Sequence, residues 1–269
     1  MLKTIFQFLL TVFFVWALAY PFMQSDELEV DEQATSEQPK KVQKKEKPLH
    51  NVKIPKFSEF ADVKQKKQAF FDFFRPHVEA ENKKILQQRA KLEIARMMLE
   101  YNEPLEAKQQ RDIVKILKLY GLPETVNGLM LSQALRRVDI IPKELALMQA
   151  ANESAWGTSR FARIGLNFFG QWCYSKGCGM VPRRRNSGAA HEVAAFKSVR
   201  AAVSSYFRNI NTHNAYKELR AIREDLRRQQ KPIAATALTH GLMSYSERGE
   251  AYIEELNTMI NQNRAYFDE

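Results

Sequence analysis

From Ser58 to the C-terminus, apolar residues recur three or four positions apart, the spacing of helices that bury one face. The first such stretch runs from Ser58 to Glu100. Phe70, Phe71, Phe73 and Phe74 lead to Pro76, which is expected to break or kink the element because proline lacks the N–H that a helix interior uses. A longer helix should follow, with Ile85, Leu92, Ala95, Met98 and Leu99 near one face. Asn102, Pro104 and Gly121 punctuate the next, where Ile113, Ile116, Leu117 and Tyr120 recur. Leu129 to Val138 reads as another. Pro142 suits the first turn of a helix that carries Leu145, Leu147 and Met148 inward and ends near Glu153. Thr158 and Ser159 start a short one. Ser198 to Asn211 and Tyr216 to Arg228 are amphipathic, Ile233 to Thr239 is short and apolar, and Gly249 or Glu250 opens a last helix through Ile253, Leu256 and Ile260.

Two regions depart from this pattern. Asn167 to Phe196 contains Gly170, Gly177, Gly179, Pro182 and Gly188, and its aromatic and polar residues lack a helical period. It is expected to form a small β-rich or irregular lobe. The N-terminus is the other. Lys3 precedes an apolar run from Ile5 to Tyr20, with Ala17-Leu18-Ala19 as a cleavage pattern, so residues 1–20 are expected to be a signal peptide or a membrane anchor. The run is shorter than the about 20 residues of a spanning helix. No Cys follows it, which excludes a lipoprotein anchor. Residues 21–56 are acidic at first and then basic, with Pro39, Pro48 and Pro55, and are expected to be a disordered charged linker. Either reading of the N-terminus puts the rest of the chain outside the cytoplasm. That leaves 57–120 as a helical support and 121–269 as the main domain.

Composition sharpens this picture. In 269 residues, 45% hydrophobic content is enough for a core, and only 10 Gly and 10 Pro favour helix over sheet. The net charge of +10 draws the surface to polyanions: nucleic acid, acidic lipid headgroups or a wall bearing carboxylates. No zinc-finger, RNA-binding or helix-turn-helix signature accompanies the charge, so nucleic acid is not an expected partner. Cys173 and Cys178 are the only cysteines and flank a turn-like stretch. In an exported protein a disulfide is the leading reading. Zinc is the alternative, with His191 as the only nearby further ligand. His191-Glu192 does not open an HExxH motif, because Ala195 stands where the second His would be.

Candidate chemistry concentrates at Gln149 to Gly170, QAANESAWGTSRFARIGLNFFG, where Glu153 is the only acid in a largely apolar run. A carboxyl at the end of an apolar helix is desolvated, which raises its pKa and keeps it protonated near neutral pH for use as a general acid. Glu153-Ser154-Ala155-Trp156-Gly157-Thr158-Ser159 resembles the ESxWGxS motif of glucosaminidases that cut bacterial peptidoglycan, and Asn167-Phe168-Phe169-Gly170 is similar to their N-[LF]-F-G motif. The wider run, from Val138-Asp139 through Trp172-Cys173 to His213-Asn214-Ala215-Tyr216, resembles the bacterial Bax-like members of that family. It covers the second half of the chain closely and Phe57 to Arg89 more loosely.

The resemblance implies a mainly α, lysozyme-like α+β fold with a cleft. It implies an endo-β-N-acetylglucosaminidase in the periplasm or cell envelope, acting on peptidoglycan glycan strands without metal or organic cofactor. Membrane association would come through the N-terminal segment. Glu153 would be the acid. Tyr245, in a Tyr-Ser pair like the family's Y-[AS], would line the cleft opposite it. Glu192 is the candidate second carboxylate, although the family's T-x-E context is absent; otherwise it is a loop carboxylate paired with Arg183, Arg184 or Arg185. Asn167, Phe169, Trp172 and Trp156 are the candidate substrate-binding residues, Trp156 being the one that also suits the core. Two other readings stand beside this one. A lytic transglycosylase uses the same Glu and leaves an anhydro sugar. A non-enzymatic wall-binding scaffold would have no need of a desolvated acid.

Overall fold

A computed structural model of the chain describes residues 46–182 and 191–267. The expected signal or anchor, the linker as far as residue 45, and Arg183, Arg184 and Arg185 lie outside the described residues. The described part, from Glu46 on, belongs to one compact unit.

Its helices are α1 (Val63–Glu100), α2 (Ala107–Leu119), α3 (Gly128–Arg137), α4 (Lys143–Glu153), α5 (Arg160–Gly165), α6 (Val199–Thr212), α7 (Lys217–Arg228), α8 (Ala235–Leu238) and α9 (Glu250–Gln262). Three short strands, β1 (Trp172–Cys173), β2 (Gly179–Met180) and β3 (Glu192–Ala194), lie between α5 and α6. The fold is mainly α with a small sheet, as the periodicity implies.

Of the expected break or kink at Pro76, the break does not occur: α1 is one helix of 38 residues with Pro76 inside it. Phe70, Phe71 and Phe74 before the proline and Val78, Ile85 and Leu92 after it are all buried. Burial of one continuous face on both sides of Pro76 outweighs the loss of a single backbone hydrogen bond. The Asp62 side chain caps the helix by accepting from the Gln65 N–H at 2.7 Å. Because α1 packs against α2, α3, α4 and α6, the hydrophobic core runs without interruption from Phe57 to Phe267.

The end of the expected linker is also different. Residues 46–56 run along α5: the Leu49 N–H donates to the Ile164 carbonyl at 2.8 Å, and Arg160 pairs with Glu46 at 2.6 Å. Val52 and Ile54 pack against the core. These two apolar residues give this end of the segment a reason to stay on the surface that the charged blocks before it lack.

β3 is the central strand of an antiparallel sheet, with β1 and β2 on either side. Cys173 and Cys178 form a disulfide that closes the turn between β1 and β2. The closed loop is short, so its loss should cost roughly 2 kcal/mol. Reduction is expected to lower the melting temperature by a few degrees and leave the far-UV helical signal unchanged. Two thiols titrating in unreduced protein would contradict the bond.

Candidate active site

Glu153 is the last residue of α4, in a segment where Leu145 to Ala151 are buried without exception. The residues after it form a bracket. Ser154 donates to the Ala150 carbonyl at 2.6 Å and accepts the Gly157 N–H at 2.8 Å. Ala155, Trp156 and Gly157 then all take positive φ, a conformation that costs on the order of 1–2 kcal/mol for a residue with a side chain. Packing holds this turn. The Trp156 ring meets Phe70 and Phe71 edge-on at 5.5 and 5.6 Å between centroids, with Lys67 over its face. Any Cβ on Gly157 would come within 2.3 Å of the Phe57 ring. The Ser, Trp and Gly of the motif therefore reverse the chain behind Glu153 and hold the end of α4.

The second motif closes over the carboxyl from the other side. Leu166 ends α5 in the left-handed region. Asn167, fully buried, then ties the loop, donating to the carbonyls of Gln171 and Ala194 and accepting the Gln171 N–H. This brings Gly170 against Glu153: a methyl on Gly170 would lie 3.4 Å from Oε2. The missing side chain leaves that flank of the carboxyl open.

Aromatic hydroxyls surround the rest. Tyr252 of α9 stands beside Glu153. The Tyr252 oxygen also accepts from Gln149 Nε2 at 3.0 Å, and Gln149 Oε1 accepts from the Tyr206 hydroxyl at 2.5 Å. Tyr245 stacks on Tyr252, with ring centroids 5.6 Å apart, and donates to the Phe169 carbonyl at 2.9 Å. Burial pushes the hydroxyls of Tyr206, Tyr216, Tyr245 and Tyr252 above their usual range, so all four remain neutral donors.

Burial also raises the pKa of Glu153. The neighbouring Tyr252 hydroxyl opposes this rise, Glu255 adds to it and Arg248 opposes it, and the net shift is upward. Glu255 and Arg248 are themselves paired at 2.8 Å. A carboxyl in this setting holds its proton at higher pH than a solvated one and can deliver it to a basic oxygen.

The other expected site residues fall into different settings. Phe169 is not a cleft-wall ring: it is 2% exposed and stacks on Tyr206 at 4.1 Å. Asn167 is buried structure, not a surface that a sugar can reach. Trp156 belongs to the bracket. Trp172 is 49% exposed and stands edge-on to His191 at 4.3 Å, so its ring is open to a ligand. Glu192 is buried in β3, where its carboxylate accepts the N–H groups of Gly177 at 3.0 Å and Gly179 at 2.9 Å. It anchors the disulfide turn. Its oxygens and the two sulfurs lie within 4.8 Å, but the sulfurs are joined to each other and are not thiolate ligands.

Gln149, Tyr252, Arg248 and Glu255 were not among the residues that the sequence singled out. One signal for Gln149 was present: it is a polar residue in an apolar run, one helical turn before Glu153 and on the same face. Tyr252 and Glu255 share a face of α9 in the same way, but nothing in their spacing says that this face meets α4.

The family described as mannosyl-glycoprotein endo-beta-N-acetylglucosaminidase (glucosaminidase) matches residues 129–265. The chain is similar to Protein bax of Escherichia coli (strain K12), with 33% identity over 211 residues, 78% of this chain and 74% of that protein. No solved structure matches.

Proposed function

The chain belongs to the glucosaminidase family, and we propose that it hydrolyses peptidoglycan as an endo-β-N-acetylglucosaminidase, cutting the β-1,4 bond after N-acetylglucosamine. One observation carries this reading: Glu153 is a desolvated carboxyl at the end of α4, bracketed by two motifs and flanked by the side-chain-free Gly170. Glu153 gives its proton to the glycosidic oxygen as the C1–O bond breaks through an oxocarbenium-like state. The oxygen of the substrate's own 2-acetamido group attacks C1 from the opposite face. Water then opens that ring and returns a proton to Glu153.

The backbone bonds of Glu192 favour this route over activation of water by Glu192, since a carboxylate tied to Gly177 and Gly179 is not free to turn towards a substrate water. Tyr245 shapes the loop beside Glu153, and the exposed ring of Trp172 offers a face for a sugar. Glu192→Gln is therefore expected to lose only a few-fold in activity, and Tyr245→Phe to lose more. Proton NMR of the first product should show retained anomeric configuration. Inversion, with a large loss in Glu192→Gln, would return the second-carboxylate role to Glu192.

The reading includes export, with residues 1–20 as signal or anchor. Among the described residues no helix is long and apolar enough to cross a membrane. The deciding experiment is mass spectrometry of digested peptidoglycan. Fragments with reducing-end N-acetylglucosamine are expected. Anhydro-muramic ends would make the protein a lytic transglycosylase, and undigested glycan with bound protein would make it a scaffold.

A further inference from the structure

Tyr252, beside Glu153, does not act alone. Gln149 is fully buried on α4. Its amide stands between two hydroxyls, accepting from Tyr206 of α6 at 2.5 Å and donating to Tyr252 of α9 at 3.0 Å. With the Tyr252 oxygen already accepting from Gln149, the single Tyr252 proton is left for another acceptor, and the carboxyl beside it is Glu153. Tyr206 is itself immobilised, stacked on Phe169 and 1% exposed. The chain of bonds Tyr206–Gln149–Tyr252 thus runs in one direction, from the core towards the acid.

We propose that this chain is a positioning relay for Glu153, in which Gln149 orients the Tyr252 hydroxyl so that it donates to the carboxyl and holds it in place. The proposal rests on the assignment of Glu153 as the acid. A carboxyl oxygen that accepts from Tyr252 is not the one that carries the proton, so the relay leaves the acidic proton on the other oxygen for the substrate. It also limits how far burial can raise the pKa, because a donor to the carboxyl favours its ionised form. The other groups that act on Glu153 are Glu255, which raises its pKa, and Arg248, which lowers it. Both remain in the variants below.

The relay and a merely structural role predict opposite signs. If Tyr252→Phe removes a donor from a carboxyl that stays dry, the Glu153 pKa rises further. If it only loosens the packing, water enters and the pKa falls towards its ordinary value. The test is a titration of ¹³C-labelled glutamate side chains in the free protein, with the Glu153 signal identified by its absence from Glu153→Gln. Tyr252→Phe is expected to move the Glu153 titration to higher pH, and Tyr206→Phe, which frees the Gln149 amide, to move it the same way by less. On peptidoglycan, Tyr252→Phe should lower kcat about tenfold with KM little changed, as a misplaced acid does, and should move the alkaline limb of the pH profile upward. An unmoved or lowered Glu153 titration in folded Tyr252→Phe overturns the relay. The titration needs no turnover, so it gives its answer even if the protein proves to have no glycosidase activity.

Discussion

Glu153→Gln is expected to abolish turnover, by about 10²-fold or more, while leaving the fold and wall binding intact. Gln fills the same space at the end of α4 but has no acidic proton for the leaving oxygen. The variant should also be no less stable. A raised folded-state pKa means that the contribution of Glu153 to stability is complete below its unfolded pKa and is lost as pH rises through the folded one. Above the unfolded carboxylate pKa, the wild type bears the cost of keeping this carboxyl protonated or of desolvating its ionised form, a cost that Gln does not bear. The melting temperature of Glu153→Gln should therefore match or exceed that of wild type at neutral pH, with the gap closing towards acid pH. The same ionisation removes the acid, so wild-type activity should fall on the alkaline side. Activity of Glu153→Gln within a few-fold of wild type would remove Glu153 from the reaction.

The second large effect lies away from the acid. Asp139, in the segment between α3 and α4, is 2% exposed. Arg227 binds it through two hydrogen bonds at 2.7 and 3.0 Å, and Arg89 stands at 3.3 Å. Arg223 lies at 3.9 Å and also donates to the carbonyls of Asp139, Ile140 and Arg136. One carboxylate thereby joins α1, α7 and the entry to α4. Removing it leaves buried guanidinium groups without their counter-charge, and Asp139→Ala is expected to cost about 3–5 kcal/mol in chemical denaturation. Burial pushes the Asp139 pKa up, but the Arg227 hydrogen bond and the charges of Arg223, Arg89 and Arg227 hold it below the ordinary range. Its contribution is thus present above the unfolded carboxylate pKa and is lost as pH falls through the folded value. The wild type should show this acid-side loss and Asp139→Ala should lack its Asp139 share. A cost under about 1 kcal/mol would show that the cluster is solvated and not a buried ion pair.

Much of the architecture is legible in the sequence. The spacing of Ile113, Ile116 and Leu117, of Leu145, Leu147 and Met148, and of Ile253, Leu256 and Ile260 marks helices that are present, the second and third opening within one residue of where Pro142 and Gly249 or Glu250 place their starts. The loss of period after Asn167 marks the sheet. Glu153 was legible for a related reason: a lone acid closing an apolar run stands out in one dimension. The glucosaminidase motifs were visible too, although not what each residue in them does. Asn167 reads as a contact for a sugar and is instead a buried tie in the loop beside the acid, and of the two settings that suit Trp156 the structure has the core one.

What the sequence by itself determined is therefore which residues leave water, because burial imposes a period on the chain and the period can be counted. What only the tertiary structure decided is what the buried groups meet. Pro76 stays inside a helix because the face on either side of it is covered by other elements. Glu192 turns to Gly177 and Gly179 because the β1–β2 turn lies under it. Tyr252 reaches Gln149 across 103 positions, and Arg227 reaches Asp139 across 88. A hydrogen bond or an ion pair depends on direction and on a few tenths of an ångström. Those are set by how α4, α6, α7 and α9 pack against one another, and no local spacing contains them.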